Sequence, residues 1–251
     1  MSKTMKGGLV KGAVSSLFTL LLISSIEAKA NLINLSDGDF NSADWQYSLV
    51  YKAPSYATIS VGASQSLTGG DPDTYYAMAT GHSSLYSFGV ALYQNTTISY
   101  DPANDGAIIQ IDYSRDIYRS GGDITLWDGL ALWQNGMWFY SSLSTTLNSN
   151  TGWQNYTINN LTANDFQVLG GGIPRPDFSS SGSPIKFGFY RATSLNSFYG
   201  GGGIYHGVDN WSVQITNANS SSDPIPEPGT VGLLGLGLAG LICVGRKRRY
   251  Y

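Results

Sequence analysis

Between residues 31 and 217, apolar and polar positions alternate in short runs rather than recurring every third or fourth residue. Alternation with period two is the mark of strands that bury one face. Such runs fall at 46–51, 57–61, 74–80, 86–93, 107–113, 124–133, 137–143, 153–158, 185–192 and 208–215, and a shorter one, Asn31-Leu32-Ile33-Asn34-Leu35, opens the region. Clusters of Gly, Asn, Asp, Ser and Pro separate them, which is turn chemistry. This spacing, with no helical period, predicts an all-β fold built as a single β-sandwich. Only residues 162–166 read as a helical turn. Gln134-Asn135-Gly136-Met137 is the clearest hairpin, because Asn-Gly accepts the positive φ angles of a type I′ turn.

The alternation also assigns faces. Ile109, Ile111 and Tyr113 share one, Ile185, Phe187 and Phe189 a second, and Trp211, Val213 and Ile215 a third, all expected in the core. Asp209 falls on the Trp211 face, where a carboxylate must be paired, hydrogen-bonded or metal-bound. The four glycines at 200–203 read as a surface loop, since no helix start with phosphate-binding spacing follows them.

Both ends of the chain depart from the pattern. Lys3, Lys6 and Lys11 precede an apolar run over 13–26 and then Ala28-Lys29-Ala30, the layout of a secretory signal peptide spanning 1–30 and handled by the Sec route and signal peptidase. At the other end, a Ser/Asp/Pro linker over 218–225 leads to Pro226, Glu227 and Pro228, an apolar glycine-rich stretch, and Arg246, Lys247, Arg248 and Arg249. The uncharged stretch 229–245 would be about 25 Å long as a transmembrane helix, at the lower limit for a hydrocarbon core of about 27–30 Å. The basic cluster belongs on the cytoplasmic side, so residues 31–217 form an exported ectodomain. Residues 226–249 closely resemble the PEP-CTERM sorting signal of Gram-negative bacteria. That resemblance implies recognition by an exosortase in the membrane, removal of the tail, and delivery to a cell surface or matrix associated with exopolysaccharide. An ordinary membrane anchor is the alternative.

Charge narrows the partners further. The ectodomain has 14 Asp, no Glu, and six Lys or Arg, a formal −8, which excludes nucleic acid as a natural partner. Its only lysines are Lys52 and Lys186, and the single cysteine, Cys243, lies in the apolar tail. The exported part therefore has neither disulfide nor thiol chemistry.

Two constellations could carry function. The opening run, followed by Asp37-Gly38-Asp39-Phe40 and then Trp45, is similar to the start of carbohydrate-binding jelly-roll modules, although Asp37 stands where Asn is usual and Asn41 where an acid is usual. Gly207-Val208-Asp209-Asn210-Trp211-Ser212-Val213 resembles their last strand. The resemblance implies a jelly-roll-like sandwich and a structural Ca²⁺ held by Asp209 with Asp39, Asp37 being the reserve. Calcium takes six to eight oxygen ligands and would staple the two ends together. The alternative is that Asp209 caps a turn through backbone N–H groups.

The second constellation is aromatic: Trp127, Trp133, Trp138 and Tyr140, with Tyr113 and Tyr118 upstream. Such rings either stack on sugars or fill the core. For catalysis the carboxylate pairs would be Asp112 with Asp116, or Asp123 with Asp128, with no Glu to serve as a raised-pKa acid. His82 and His206 lack metal-ligand spacing and read as surface residues. The leading expectation is a non-catalytic surface or matrix protein that binds extracellular polysaccharide. A polysaccharide hydrolase or lyase on a concanavalin-like sandwich, and a purely structural matrix component, are the competing ones.

Overall fold

The alternating runs pair into two antiparallel sheets in the computed structural model, which describes residues 30–218 apart from 84, 150, 173 and 197–199. Residues 1–29 of the expected signal peptide, the linker beyond Ala218, the expected transmembrane stretch and the sorting residues Pro226 to Arg249 lie outside the described residues. The strands seen among the described residues are β1 (Ala30–Asp37), β2 (Trp45–Ala53), β3 (Ile59–Gly70), β4 (Asp73–His82), β5 (Ser87–Tyr100), β6 (Ala107–Gly121), β7 (Ile124–Gln134), β8 (Met137–Ser141), β9 (Thr145–Leu147), β10 (Thr151–Leu161), β11 (Phe166–Val168), β12 (Ile185–Leu195) and β13 (Gly202–Ala218). One sheet runs β10-β6-β13-β4-β3, with β1 also on β13; the other runs β11-β8-β7-β12-β5-β2, with β9 also on β7. Strand β13 organises the first sheet: β6 flanks it throughout, while β4 pairs with its first half and β1 with its second. The fold is the all-β, two-sheet sandwich that the alternation predicts.

The core forms where the inner faces meet. Ile185, Phe187 and Phe189 from β12 and Trp211, Val213 and Ile215 from β13 are fully buried there, as expected. Aromatic rings supply much of the buried area. Tyr93 stacks on Phe189 at 4.8 Å between centroids, and Trp45 meets Trp211 edge-on at 5.5 Å, both favoured ring geometries.

Two bulges correct the assignment of faces. Thr216 pairs with Gln110 and Asn217 with Ile108, leaving Ile109 unmatched. One extra residue reverses the alternation, so Ile108 turns inward and Ile109 is 50% exposed. The second bulge lies between Asp209 and Ser212, with Asn210 at φ 48°. Ile204, His206 and Val208 face inward before it and Trp211, Val213 and Ile215 after it. Asp209 is therefore on the outer face with Tyr205 and Gly207, opposite to the face expected.

Other departures are local. The run of four glycines is only partly a loop, because Gly202 and Gly203 begin β13 and pair with His82 and Gly81. Next to them a Cβ at Gly201 would stand 2.4 Å from the His82 carbonyl oxygen, so glycine permits that close approach. A one-turn helix, α1 (Pro102–Asp105), is capped by the Asp101 carboxylate, which accepts the Ala103 N–H at 3.0 Å. The turn expected at 162–166 is a 3₁₀ turn, Ala163–Asp165. At the hairpin, Asn135 and Gly136 take φ 53° and 78°, the I′ signature.

A polar seam crosses the interior. Asp128 on β7 is fully buried and accepts Arg115 Nε from β6 at 2.6 Å and Arg191 Nε from β12 at 2.8 Å. Arg115 thus ties the first sheet to the second. His206 Nδ1 lies 2.8 Å from Arg191 and its Nε2 3.2 Å from Thr80 Oγ1, while His82 bonds the hydroxyls of Ser87 and Thr193. Both histidines are buried, contrary to their reading as surface residues.

Candidate functional site

Strand β7 sends Leu126, Leu130 and Leu132 into the core and Trp127, Gly129, Ala131 and Trp133 to the outer face of the second sheet. On β8, Phe139 points inward while Trp138 and Tyr140 point out. The four aromatic candidates, each half-buried, therefore share one face. Cross-strand register fixes their neighbours: Trp133 lies between Trp138 and Lys186, and Ala131 between Tyr140 and Gly188. Farther along, Trp127 lies beside Ala192, whose own partner on β5 is Val90. From Trp127 to Trp133 is six strand steps, roughly 20 Å.

Two cavities occupy this face. One, of about 340 Å³, is lined by Trp133, Trp138, Lys186, Gln46 and Gln94, among others. The other, of about 550 Å³, has Trp127, Tyr140, Tyr190, Phe88 and Tyr51 in its lining. A Cβ on Gly129 would meet the Tyr190 ring at 2.5 Å, so glycine lets that ring lie across β7. Burial pushes the Tyr190 phenol up to about 12, and the neutral hydroxyl donates to the Ser141 carbonyl at 3.1 Å. At the first cavity Trp133 and Trp138 are 5.1 Å apart at 59°, and Gln46 donates to Gln94 at 2.5 Å. One end of the face is thus aromatic and amide-rich, the other aromatic and apolar. This combination suits a polymer with apolar ring faces and polar edges.

The acidic candidates are placed elsewhere. Asp209 accepts the Asn210 N–H on Oδ1 at 2.7 Å and the Asp71 N–H on Oδ2 at 2.6 Å, so it caps the turn between β3 and β4. Burial raises its pKa while the two backbone N–H groups pull it back. Asp39 is exposed; its N–H donates to Asp37 and its carbonyl accepts Gln65. Asp37 organises the first loop by accepting the N–H groups of Asp39, Phe40, Trp45 Nε1 and Asn95 Nδ2. Asp39 and Asp209 share no hydrogen-bond partner, and no group of three or more His, Cys, Asp or Glu poised for a metal occurs among the described residues.

The carboxylate pairs fare differently from the aromatics. Asp128 is sealed between two guanidiniums while Asp123 is exposed in the β6–β7 turn, so no polymer can lie between them. Asp112 and Asp116 sit on the outer face of the first sheet. There Asp112 accepts the Asn160 N–H, and Asp116 accepts the amides of Asn155 and Asn210. Lys186, Gln46, Gln94 and Tyr190 were not singled out from sequence. For Lys186 a signal existed: between Ile185 and Phe187, both inward, it had to point outward.

Comparison with known proteins bears on the address of the chain. Residues 224–249 match the family model of the PEP-CTERM protein-sorting motif. The chain carries a PEP-CTERM sorting motif. It is an exported protein sorted to the cell envelope. No curated protein matches the chain. Among solved structures it is similar to a family 11 carbohydrate-binding module from Clostridium thermocellum in complex with a β-1,3-1,4-mixed-linked tetrasaccharide, at 16% identity and TM-score 0.36, over 74% of this chain and 96% of that one. It is also similar to an exo-β-agarase, at 12% identity and TM-score 0.38, over 72% of this chain and 25% of that one. Overlaps at this level carry no inference about a ligand.

Proposed function

We propose that this PEP-CTERM protein is a non-catalytic binder of extracellular polysaccharide, holding it on the outer face of the second sheet. The observation that carries the reading is the row of half-buried aromatics, Trp127, Trp133, Trp138 and Tyr140, bordering two cavities on one face. Rings held by packing on one side and open on the other are pre-organised to stack on sugar faces, which keeps the entropic cost of binding low. In this account the C-terminal span holds the protein in the membrane until an exosortase removes it, and the sandwich then associates with exopolysaccharide. Asp128, the one candidate acid on the second sheet's strands, is inaccessible, so binding rather than cleavage is the chemistry the face supports.

Co-sedimentation tests it. Mature protein recovered from cells should pellet with the extracellular polysaccharide of the same culture, and a Trp127→Ala/Trp133→Ala variant should stay in solution at least tenfold more. Equal pelleting of the two proteins would refute the reading. Mass analysis of the same sample should find the Arg246–Arg249 cluster removed.

A further inference from the structure

The polar end of the candidate site, the outer face with its two cavities and here called the groove, carries an unpaired positive charge. Of the six basic residues in the ectodomain, Arg115, Arg119 and Arg191 are buried between the sheets, and Lys52 donates to the Ala57 carbonyl. Arg175 is exposed and lines neither cavity. Lys186 alone lines a cavity of the groove. The only ion pairs among the described residues are the two at Asp128, and the Lys186 ammonium donates to no side chain or carbonyl of the described residues. None of the 14 Asp lines either cavity. On a domain of formal charge −8, the groove is thus the place from which carboxylates are absent and where a lysine stands without a counter-charge.

The register defines what that charge would meet. Trp138, Trp133 and Lys186 lie side by side on β8, β7 and β12, neighbouring strands being about 4.8 Å apart. A pyranose stacked on the tryptophans would have its ring substituents over β12, within reach of the ammonium. Gln46, Ser48 and Gln94 complete the cavity with groups that both donate and accept. We propose that this end of the groove recognises an acidic sugar, with the carboxylate of a uronic acid residue pairing with Lys186, and that the polymer bound is therefore anionic. A neutral sugar would strip water from the ammonium and return no charge, which disfavours it. Repulsion from the remaining Asp is screened beyond about 8 Å at physiological salt, whereas the direct pair is not.

This inference rests on the groove being a polysaccharide site, and the test separates the two. The mature protein is run in affinity gels containing polygalacturonate, polyglucuronate or alginate, and in gels containing the carboxyl-reduced, neutral form of each. Wild type should be retarded by at least one acidic polymer about tenfold more strongly than by its reduced form. Lys186→Gln should lose that margin, about tenfold or 1.4 kcal/mol, so that each acidic polymer and its reduced form retard it alike; Lys186→Arg should keep the margin. Trp133→Ala should weaken binding to both forms. Equal retardation by acidic and reduced polymers, or an acid preference that Lys186→Gln leaves intact, overturns the acidic-sugar inference and leaves the groove standing. Absence of binding to every polymer, or binding unaffected by Trp133→Ala, overturns both.

Discussion

Replacing Asp128 with Asn should unfold this protein more readily than any exposed carboxylate change, because of where Asp128 sits. Its two oxygens each face a guanidinium Nε, at 2.6 and 2.8 Å, and all three side chains are shielded from water. The amide keeps the shape but removes the charge, leaving Arg115 and Arg191 buried without a counterion. It also turns an N–H₂ towards one of two donors. Removing one partner of a buried ion pair costs about 3–5 kcal/mol. For a domain of this size each kcal/mol lowers the melting temperature by about 2–4 °C, giving a drop of roughly 6–20 °C. The assay is urea unfolding of wild type, Asp128→Asn and Asp123→Asn, with the last, exposed in a turn, expected within about 0.5 kcal/mol of wild type. Replacing the whole set at once, as Arg115→Met/Asp128→Leu/Arg191→Met, should recover much of the loss, since buried ion networks often break even against apolar side chains. A loss below about 1 kcal/mol for Asp128→Asn would refute the clamp between sheets.

Further expectations follow from other buried groups. Burial lowers the pKa of His82, and burial with the neighbouring Arg191 and Arg119 lowers that of His206 well below its usual value. Each releases its proton more readily in the folded state than in the unfolded one, so the unfolded chain binds more protons below about pH 6.5. Stability should be complete above that pH and fall on acidification by up to about 1.4 kcal/mol per pH unit for each histidine, and a flat urea midpoint between pH 7 and 5 would contradict this. At the β3–β4 turn, Asp209→Ala strands the N–H groups of Asp71 and Asn210 and should cost about 1–3 kcal/mol. If Asp209 acts only as a cap, millimolar calcium leaves the melting temperature of wild type unchanged; an upward shift abolished by Asp39→Ala would instead establish the metal.

The sandwich was legible in the sequence because period-two alternation is the direct imprint of a sheet with one wet face. Faces were legible only within stretches that no bulge interrupts. Nothing local in Ile109 or Asn210 announces an unmatched residue, yet each inverts the alternation, sending Ile109 out and Asp209 away from the Trp211 face. Strands β9 and β11, three residues each, are too short to show a period. The aromatic candidates came together because β7 and β8 alternate without interruption across the Asn135-Gly136 turn. Asp128 misled for a different reason. Its position on the inward face was readable, but its partners Arg115 and Arg191 are 13 and 63 residues away, and only the packing of the sheets joins them.

The central claim, that polysaccharide lies on the outer face of the second sheet, is tested most directly by hydroxyl-radical footprinting of the mature protein with and without the extracellular polysaccharide. Trp127, Trp133, Trp138 and Tyr140 should be protected from oxidation when the polysaccharide is present. Tyr205, 70% exposed on the first sheet, should oxidise as before. Protection of Tyr205 with the four rings unchanged would place the ligand on the wrong sheet and contradict the account.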